Sequence, residues 1–251
     1  MRAAAALPTR RDEAWRYSDL DALAPVWPRD AVEHVTVPAG QAITRQIVQM
    51  ADADAVVVQN LNIVLEAGAR CDIHILNAGG TLGRIAIDVT LHAGAAFTLG
   101  AVQLGTGKQT VEIVTTVRHV EPDATSRQTV RSILAKQATG SYLGKVAVSR
   151  DAQKTDSVQS VKAMLLDRTA TANAKPELEI YADDVKCAHG ATVGELDKTA
   201  MFYLASRGLP PQAAQTLLLQ AFIAEVFADV ADADVKERLE TAALAALEAM
   251  A

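Results

Sequence analysis

The sequence predicts a mainly β protein, in which a parallel β-helix core lies between an N-terminal and a C-terminal helical segment. Short stretches rich in β-branched residues recur through the middle of the chain. No helix-like stretch of crossover length separates them, which disfavours a doubly wound sheet. A short motif also repeats there at a nearly constant interval. After Gly194 the apolar residues change from a two-residue to a three- or four-residue period, which is typical of helices.

Residues 1–31 are expected to form an N-terminal helical arm. An acidic residue, Glu13, suits the first turn of a helix, and Pro28 ends the pattern. Trp15 and Trp27 are the only tryptophans of the chain. We expect these large side chains to anchor the arm on the main body.

Residues 32–185 are expected to form the β-helix core. An aliphatic residue precedes a glycine by three positions in Val37-Pro-Ala-Gly40, Leu65-Glu-Ala-Gly68 and Leu91-His-Ala-Gly94. The three glycines are 28 and 26 positions apart. A solenoid produces such a repeat because each coil buries its face against the next, and glycine allows a positive φ at the corner. Successive hairpins of a β-sandwich would give a similar pattern, so the repeat favours the β-helix and leaves the sandwich open.

The later part of this core, residues 128–160, is rich in polar side chains. Threonine, serine and scattered basic residues alternate with apolar ones along its strands. In a half-buried sheet the polar face of such a strand is turned to water. We therefore expect these polar side chains to be solvated.

Composition excludes several classes of function. The net charge of −6 and the pI near 5.4 leave no concentrated basic face for nucleic acid. No apolar run is long enough to predict a membrane-spanning helix, and the apolar run at the N-terminus is too short for a signal peptide. The two cysteines, Cys71 and Cys187, are too few and too far apart for a disulfide framework, so a reducing, cytoplasmic location is expected.

Motifs of common enzyme classes are incomplete. The segment Gly105-Thr106-Gly107-Lys108 resembles the end of a phosphate-binding loop, but Val102 and Gln109 replace the first glycine and the final serine or threonine. A simple glycine turn is the expectation there. An aromatic content of 4% argues against a carbohydrate-active β-helix enzyme, which needs stacking aromatics. The chain is predicted not to be an enzyme.

The stretch Lys175 to Gly194 holds the candidate metal ligands. Cys187 and His189 are two positions apart, so on an extended strand both side chains point to one side. A thiol and an imidazole are donors that suit zinc or iron. Two ligands do not complete a structural zinc site, which takes four. By spacing alone, the favoured interpretation is therefore that Cys187 packs as a small apolar residue and that His189 makes a hydrogen bond in a turn before Gly190, and a metal site is the alternative.

Residues 186–251 are expected to form a C-terminal helical region. The helix predicted from about residue 212 to 229 has a broader apolar face than a surface helix needs. Such a face either packs back on the body or docks a partner protein. The candidate partner-binding residues on it are Leu217, Leu218, Phe222, Ile223 and Val226.

Several stretches together resemble the SufB/SufD family of the SUF iron-sulfur cluster assembly system. The strongest are KPELEIYADDVKCAHGATVG and LDKTAMFYLASRGLP, and EAWRYSDL, AQKTDSVQS and AMLLD support them. The resemblance is strong over about residues 152–210 and holds by pattern only through the middle of the chain. The chain also looks short for the family, mainly in its N-terminal helical part.

The resemblance implies a right-handed parallel β-helix that forms a heterodimer with a SufB-like paralogue. It also implies that the C-terminal helices bind a SufC-like ATPase, which would carry the nucleotide chemistry. His189 matches the family histidine implicated in building a nascent, transient iron-sulfur cluster shared with SufB, and Cys187 is the adjacent candidate thiol. A flavin in the assembled complex is possible, although the sequence does not indicate one. The isolated chain could also pair with itself as a homodimer through an exposed sheet edge.

The resemblance thus predicts a non-catalytic scaffold subunit that supports cluster assembly or iron acquisition. The alternative is a purely structural adaptor for the ATPase, with no cluster ligands of its own. The two differ in whether Cys187 and His189 contribute to cluster formation.

Overall fold

A computed structural model describes residues 6–29 and 31–250, and most of this part of the chain winds into a parallel β-helix. Its strands are β1 (Val32–Val37), β2 (Ala42–Ala51), β3 (Val56–Leu65), β4 (Arg70–Gly79), β5 (Leu82–Leu91), β6 (Ala96–Gly105), β7 (Thr110–His119), β8 (Thr125–Leu134), β9 (Thr139–Val148), β10 (Asp156–Leu165), β11 (Thr171–Ile180) and β12 (Lys186–Gly194). Its helices are α1 (Leu20–Leu23), α2 (Lys198–Ser206), α3 (Pro211–Phe227) and α4 (Ala233–Glu248).

The strands alternate between two six-stranded sheets. The odd-numbered strands form one sheet, here the odd-strand sheet, and the even-numbered strands form the even-strand sheet. Every strand pairs in parallel with the strand two positions away in the chain. Each coil therefore adds one strand to each sheet, which confirms the predicted β-helix. The sandwich is wrong, because its hairpins would pair consecutive strands in antiparallel fashion.

The predicted glycine repeat forms one corner of the β-helix. Gly40, Gly68 and Gly94 all have positive φ, between +64° and +69°. The backbone N–H of each donates to a carbonyl of the next coil, which stacks the corners on one another. Asp123 and Lys154 continue the stack with φ of +62° and +59°, although neither is glycine. The glycine repeat thus predicts the first three corners of this stack correctly. The stack continues for two more coils, in which Asp123 and Lys154 take the place of glycine.

Aliphatic side chains fill the space between the two sheets. Leu, Ile and Val residues from successive strands are fully buried in one cluster, which also includes Cys71 and Phe97. Burial raises the pKa of the Cys71 thiol to about 12, so this cysteine packs as a small apolar residue. The turn around Gly107 is a corner with positive φ between β6 and β7, as predicted for that segment.

The polar strands of residues 128–160 differ from the prediction. Gln128, Ser132, Ser141, Ser157 and Gln159 are almost completely buried rather than solvated. Alternation alone cannot distinguish a polar face turned to water from one turned into the lumen of a β-helix. Here Ser126 and Gln128 of β8 and Ser157 and Gln159 of β10 face the lumen, where the two serines bond to each other and both glutamines bond to Tyr142.

The N-terminal arm is less helical than predicted. Within its described residues it contains only α1 and the 3₁₀ turns at Glu13–Trp15 and Ala24–Val26. Residues 1–5 and 30 of the predicted arm lie outside the described residues. Trp15 and Trp27 pack edge to face with ring centroids 5.8 Å apart, and the Arg84 guanidinium lies 3.8 Å from the Trp15 ring centroid. The expectation that Trp15 holds the arm on the body is therefore met by a cation–π contact.

The C-terminal helices pack on the outer face of the even-strand sheet. Apolar residues of α3 and α4, including Ile223 and Phe227, form a second core cluster with Leu76 and Val102 of the sheet. The approach is close, because a Cβ at Gly100 would lie 2.9 Å from the Val226 carbonyl oxygen. The sequence predicts that the helical region begins at residue 186. In the structure, residues 186–194 instead form β12, the last strand of the β-helix. None of the described helices is long and apolar enough to cross a membrane.

Candidate functional site

The β-helix ends in an open coil formed by β11 and β12. Each is the last strand of its sheet, and in the described part of the chain β12 pairs only with β10. All residues of β12 are exposed except Cys187, which is half-buried. An edge strand presents unpaired backbone N–H and C=O groups that another chain can pair with. This end is therefore a ready surface for a second polypeptide.

Cys187 and His189 lie on this last strand, as the sequence predicts. β12 is extended over both positions, and Cys187 packs against the apolar core at the end of the lumen. Since side chains two positions apart share a face, the imidazole of His189 lies on the same side. β12 begins at Lys186, and residues 181–185 form the corner that separates it from β11.

The environment of Cys187 keeps its thiol protonated in the free chain. Burial raises the pKa of the Cys187 thiol, and the charge of Asp156 raises it further, while a backbone hydrogen bond from Ser157 opposes the shift. Both cysteines are free thiols. A thiol of this kind becomes a thiolate when a metal ion replaces its proton.

The described residues do not complete a metal site by themselves. They contain no group of three or more His, Cys, Asp or Glu side chains that could hold a metal ion. Cys187 and His189 are nevertheless chemically suited to iron, which accepts thiolate and imidazole ligands in clusters. The donor set therefore fits part of a site that other molecules would complete.

Two ladders of stacked side chains lead through the even-strand sheet to these residues. In register, the first ladder consists of Cys71, Phe97, Ser126, Ser157 and Cys187. The second ladder consists of Ile73, Leu99, Gln128, Gln159 and His189. Both ladders change from apolar to polar residues at β8. Along these two ladders, the side chains thus become polar toward the open coil that carries the candidate ligands.

Tyr142 is the centre of the hydrogen-bond network around the second ladder. Its hydroxyl donates to the Gln128 side-chain oxygen at 3.1 Å and accepts from the Gln159 side-chain nitrogen at 3.1 Å. The Thr115 hydroxyl also donates to that Gln128 oxygen, at 2.8 Å. Full burial raises the pKa of Tyr142 to about 12, so its phenol stays protonated. Sequence reasoning missed this network because its members come from four different strands.

A chain of hydroxyl groups runs along the first ladder. The Ser126 and Ser157 hydroxyl oxygens are 2.8 Å apart, and the Ser126 oxygen is 3.0 Å from His119 Nε2. His119 is fully buried, and burial lowers the pKa of its imidazole to about 4. This histidine is therefore neutral in the folded protein at neutral pH.

The candidate partner-binding residues of α3 separate into two groups. Leu217 is 46% exposed, and Leu218 and Phe222 are half-buried. Ile223 and Val226 are buried in the second core cluster, so in this structure they contact the chain itself. The broad apolar face of α3 thus serves mainly to pack the helix on the β-helix.

Two aromatic residues that sequence reasoning missed are more exposed than any of these. Phe202 and Tyr203 on α2 are 75% and 56% exposed. In the sequence these residues belong to an apolar pattern on a short helix. Such a pattern predicts a buried helix face as readily as an exposed one. Together with Leu217, they are the large apolar side chains of α2 and α3 that are exposed to solvent.

An ion-pair cluster fixes α3 on the sheet. The buried Arg131 guanidinium donates to both carboxylate oxygens of Glu225, at 2.7 and 3.0 Å, and Lys162 lies 3.3 Å from the same carboxylate. The hydrogen bonds from Arg131 lower the pKa of Glu225 to about 2. Bidentate pairs of this kind add orientation as well as energy.

The fold and the site define a β-helix protein that presents a thiol and an imidazole at an open end and carries helices on one flank. Residues 29–222 match the family described as SUF system FeS cluster assembly, SufBD core domain, and the chain belongs to this family.

Curated relatives agree with this assignment. The iron-sulfur cluster assembly protein SufD of Escherichia coli (strain K12) is 38% identical over 125 residues, which cover 50% of this chain and 30% of that protein. An iron-sulfur cluster assembly SufBD family protein of Synechocystis is 34% identical over 165 residues, or 65% of this chain and 36% of that protein. SufD of Bacillus subtilis (strain 168) is 29% identical over 138 residues, which cover 55% of this chain and 32% of that protein. The matched regions span about a third of the length of these relatives.

Proposed function

We propose that this protein is a non-catalytic scaffold subunit of a cytoplasmic SUF iron-sulfur cluster assembly complex. In this proposal the open coil of β11 and β12 pairs with a SufB-like paralogue. The helices α2 and α3 bind a SufC-like ATPase. The nascent cluster is cargo rather than a resident cofactor, and it forms at the interface between the two β-helices.

One observation carries the proposal. Cys187 and His189 lie two positions apart on the exposed last strand, where a second chain can add its own strand and its own ligands. A shared site accounts for the incomplete donor set of this chain. Mixed thiolate and imidazole ligation with few ligands from each subunit would also make the cluster labile, and a scaffold must release what it assembles.

The exposed apolar surface of α2 and α3 supports the ATPase partner. Phe202, Tyr203 and Leu217 present large apolar side chains to solvent, and aromatic residues of this kind often anchor protein interfaces. The ion pair of Arg131 with Glu225 connects α3 to β8 and so to the lumen. A movement imposed on α3 by the ATPase would reach the β-helix through this contact.

The test is replacement of His189 in the reconstituted complex. We expect His189→Ala to leave the complex assembled and to abolish cluster formation, measured by anaerobic absorption spectroscopy. His34→Ala is the matched control, because His34 is exposed on β1 at the opposite open end of the β-helix. Normal cluster formation by His189→Ala would refute the role of this residue.

The second candidate function is a structural adaptor for the ATPase without cluster ligands. It is favoured by the lack of any group of three metal-binding side chains among the described residues. A Cys187→Ala, His189→Ala double variant separates the two functions. Cluster assembly that persists in this variant would support the adaptor, and its loss would support the scaffold.

A further inference from the structure

Gln159 is the buried residue directly beside His189. The two are paired in register on neighbouring parallel strands, so their side chains lie on the same face of the even-strand sheet. Gln159 is 1% exposed, and its side-chain nitrogen donates to the Tyr142 hydroxyl. Its side-chain oxygen, Oε1, is buried and has no hydrogen-bond partner in residues 6–29 and 31–250. A buried carbonyl oxygen without a donor is costly.

The network around Tyr142 fixes which end of the Gln159 amide is free. The phenol oxygen is held against Gly144, where a Cβ would lie only 2.2 Å from it. The phenol has a single proton, which it donates to Gln128 or to the Thr115 hydroxyl oxygen 3.1 Å away, and it accepts from the Gln159 side-chain nitrogen. The amide nitrogen of Gln159 therefore faces Tyr142, and the oxygen remains as an unused acceptor.

We infer that Gln159 is a positioning residue for His189. Its Oε1 accepts a hydrogen bond from one imidazole N–H of His189 when a partner covers the open coil. That bond fixes one tautomer and leaves the other ring nitrogen unprotonated for iron. The inference rests on the proposed function, because it takes His189 to be a ligand of the cluster. Hydrogen bonds of this kind commonly orient ligating histidines and increase their basicity.

Gln128 provides a matched control within the same ladder. It is also 1% exposed and also bonds to the Tyr142 hydroxyl, and it too has one unpartnered amide atom among the described residues. It lies one coil further from the open end, in register with Gln159 rather than with His189. Loss of its amide disturbs the same network without removing the neighbour of His189.

The experiment measures the affinity of ferrous iron for the reconstituted complex by anaerobic equilibrium titration. We expect Gln159→Met to weaken iron binding by about 10- to 100-fold, the usual effect of losing the hydrogen-bond partner of a ligand. Gln159→Glu keeps an acceptor oxygen at this position and should restore most of the affinity. Gln128→Met should bind iron as the wild type does. Thermal unfolding of each variant verifies that the β-helix is intact.

Each outcome separates the inference from the proposed function. Wild-type affinity in Gln159→Met, with affinity lost in His189→Ala, would overturn the positioning role and leave the proposed function standing. Equal weakening in Gln128→Met and Gln159→Met would also overturn it, because the network would then act through folding alone. Wild-type affinity in His189→Ala would overturn the proposed function itself.

Discussion

The first and the last coils of the β-helix share one backbone geometry but enclose different side chains. In the second ladder, β4 and β6 contribute Ile73 and Leu99, whereas β8 and β10 contribute Gln128 and Gln159. Burial of apolar side chains stabilises the first coils without regard to orientation. Hydrogen bonds in the last coils require specific orientations. Along this ladder, the apolar residues of the first coils contribute stability, and the polar residues of the last coils fix the orientation of the side chains near the open end.

The largest effect is expected from a cavity in the first coils. Ile73 is fully buried in the apolar core. Ile73→Ala should lower the free energy of unfolding by about 2–5 kcal/mol, because it removes buried methyl groups and leaves a cavity. Urea denaturation measures this change. A loss well under 1 kcal/mol would show that the first coils are not the main source of stability.

The next effect concerns pH and the polar coils. His119 has a folded-state pKa of about 4, below its ordinary value of 6.5, because it is buried. As the pH falls below about 6.5, the unfolded chain takes up a proton that the folded chain does not, so stability decreases until the pH reaches about 4. The loss is about 3 kcal/mol. His119→Gln should flatten the pH dependence of unfolding in this window, and an unchanged profile would contradict the burial of a neutral imidazole.

A smaller effect is expected at the centre of the polar network. Tyr142→Phe keeps the ring but removes the hydroxyl that bonds to Gln128 and Gln159. We expect a loss of about 1–3 kcal/mol in unfolding free energy, since the buried Gln159 side-chain nitrogen is left without its partner. Calorimetry measures the change. No loss would mean that water replaces the hydroxyl and that the last coils need no fixed network.

The smallest effect is expected outside the lumen, at the contact that holds α3. The pKa of Glu225 is lowered to about 2 by the hydrogen bonds from Arg131, so its contribution is present above about pH 4.5 and is lost as the pH falls toward 2. The carboxylate is 46% exposed, and solvent screening limits the contribution to about 1 kcal/mol or less. Glu225→Gln should be less stable than the wild type at pH 6 and equally stable near pH 2. A constant difference across this range would contradict the ion pair.

Much of the fold could be predicted because its corners leave a local signal. Gly40, Gly68 and Gly94 mark the corner by residue type, since glycine adopts positive φ without strain. The corners at Asp123 and Lys154 adopt the same conformation without glycine, and the repeat could not reveal them. Their geometry is imposed by the coils on either side.

The candidate site was predictable only where its residues are close in sequence. Cys187 and His189 are two positions apart, so spacing alone placed them on one face of a strand. Gln159 is 30 positions before His189, and only the register of parallel strands brings the two together. From the sequence alone, the polar side chain of Gln159 is also expected to face solvent. Only the structure shows that it faces the lumen.

The most direct test of a cluster shared at the open coil is electron paramagnetic resonance of the reduced complex, with isotope-labelled histidine in this chain alone. We expect a hyperfine coupling between the cluster and a labelled imidazole nitrogen, and its loss in His189→Ala. A complex that forms its cluster normally but shows no coupling to labelled histidine would contradict ligation of the cluster by His189.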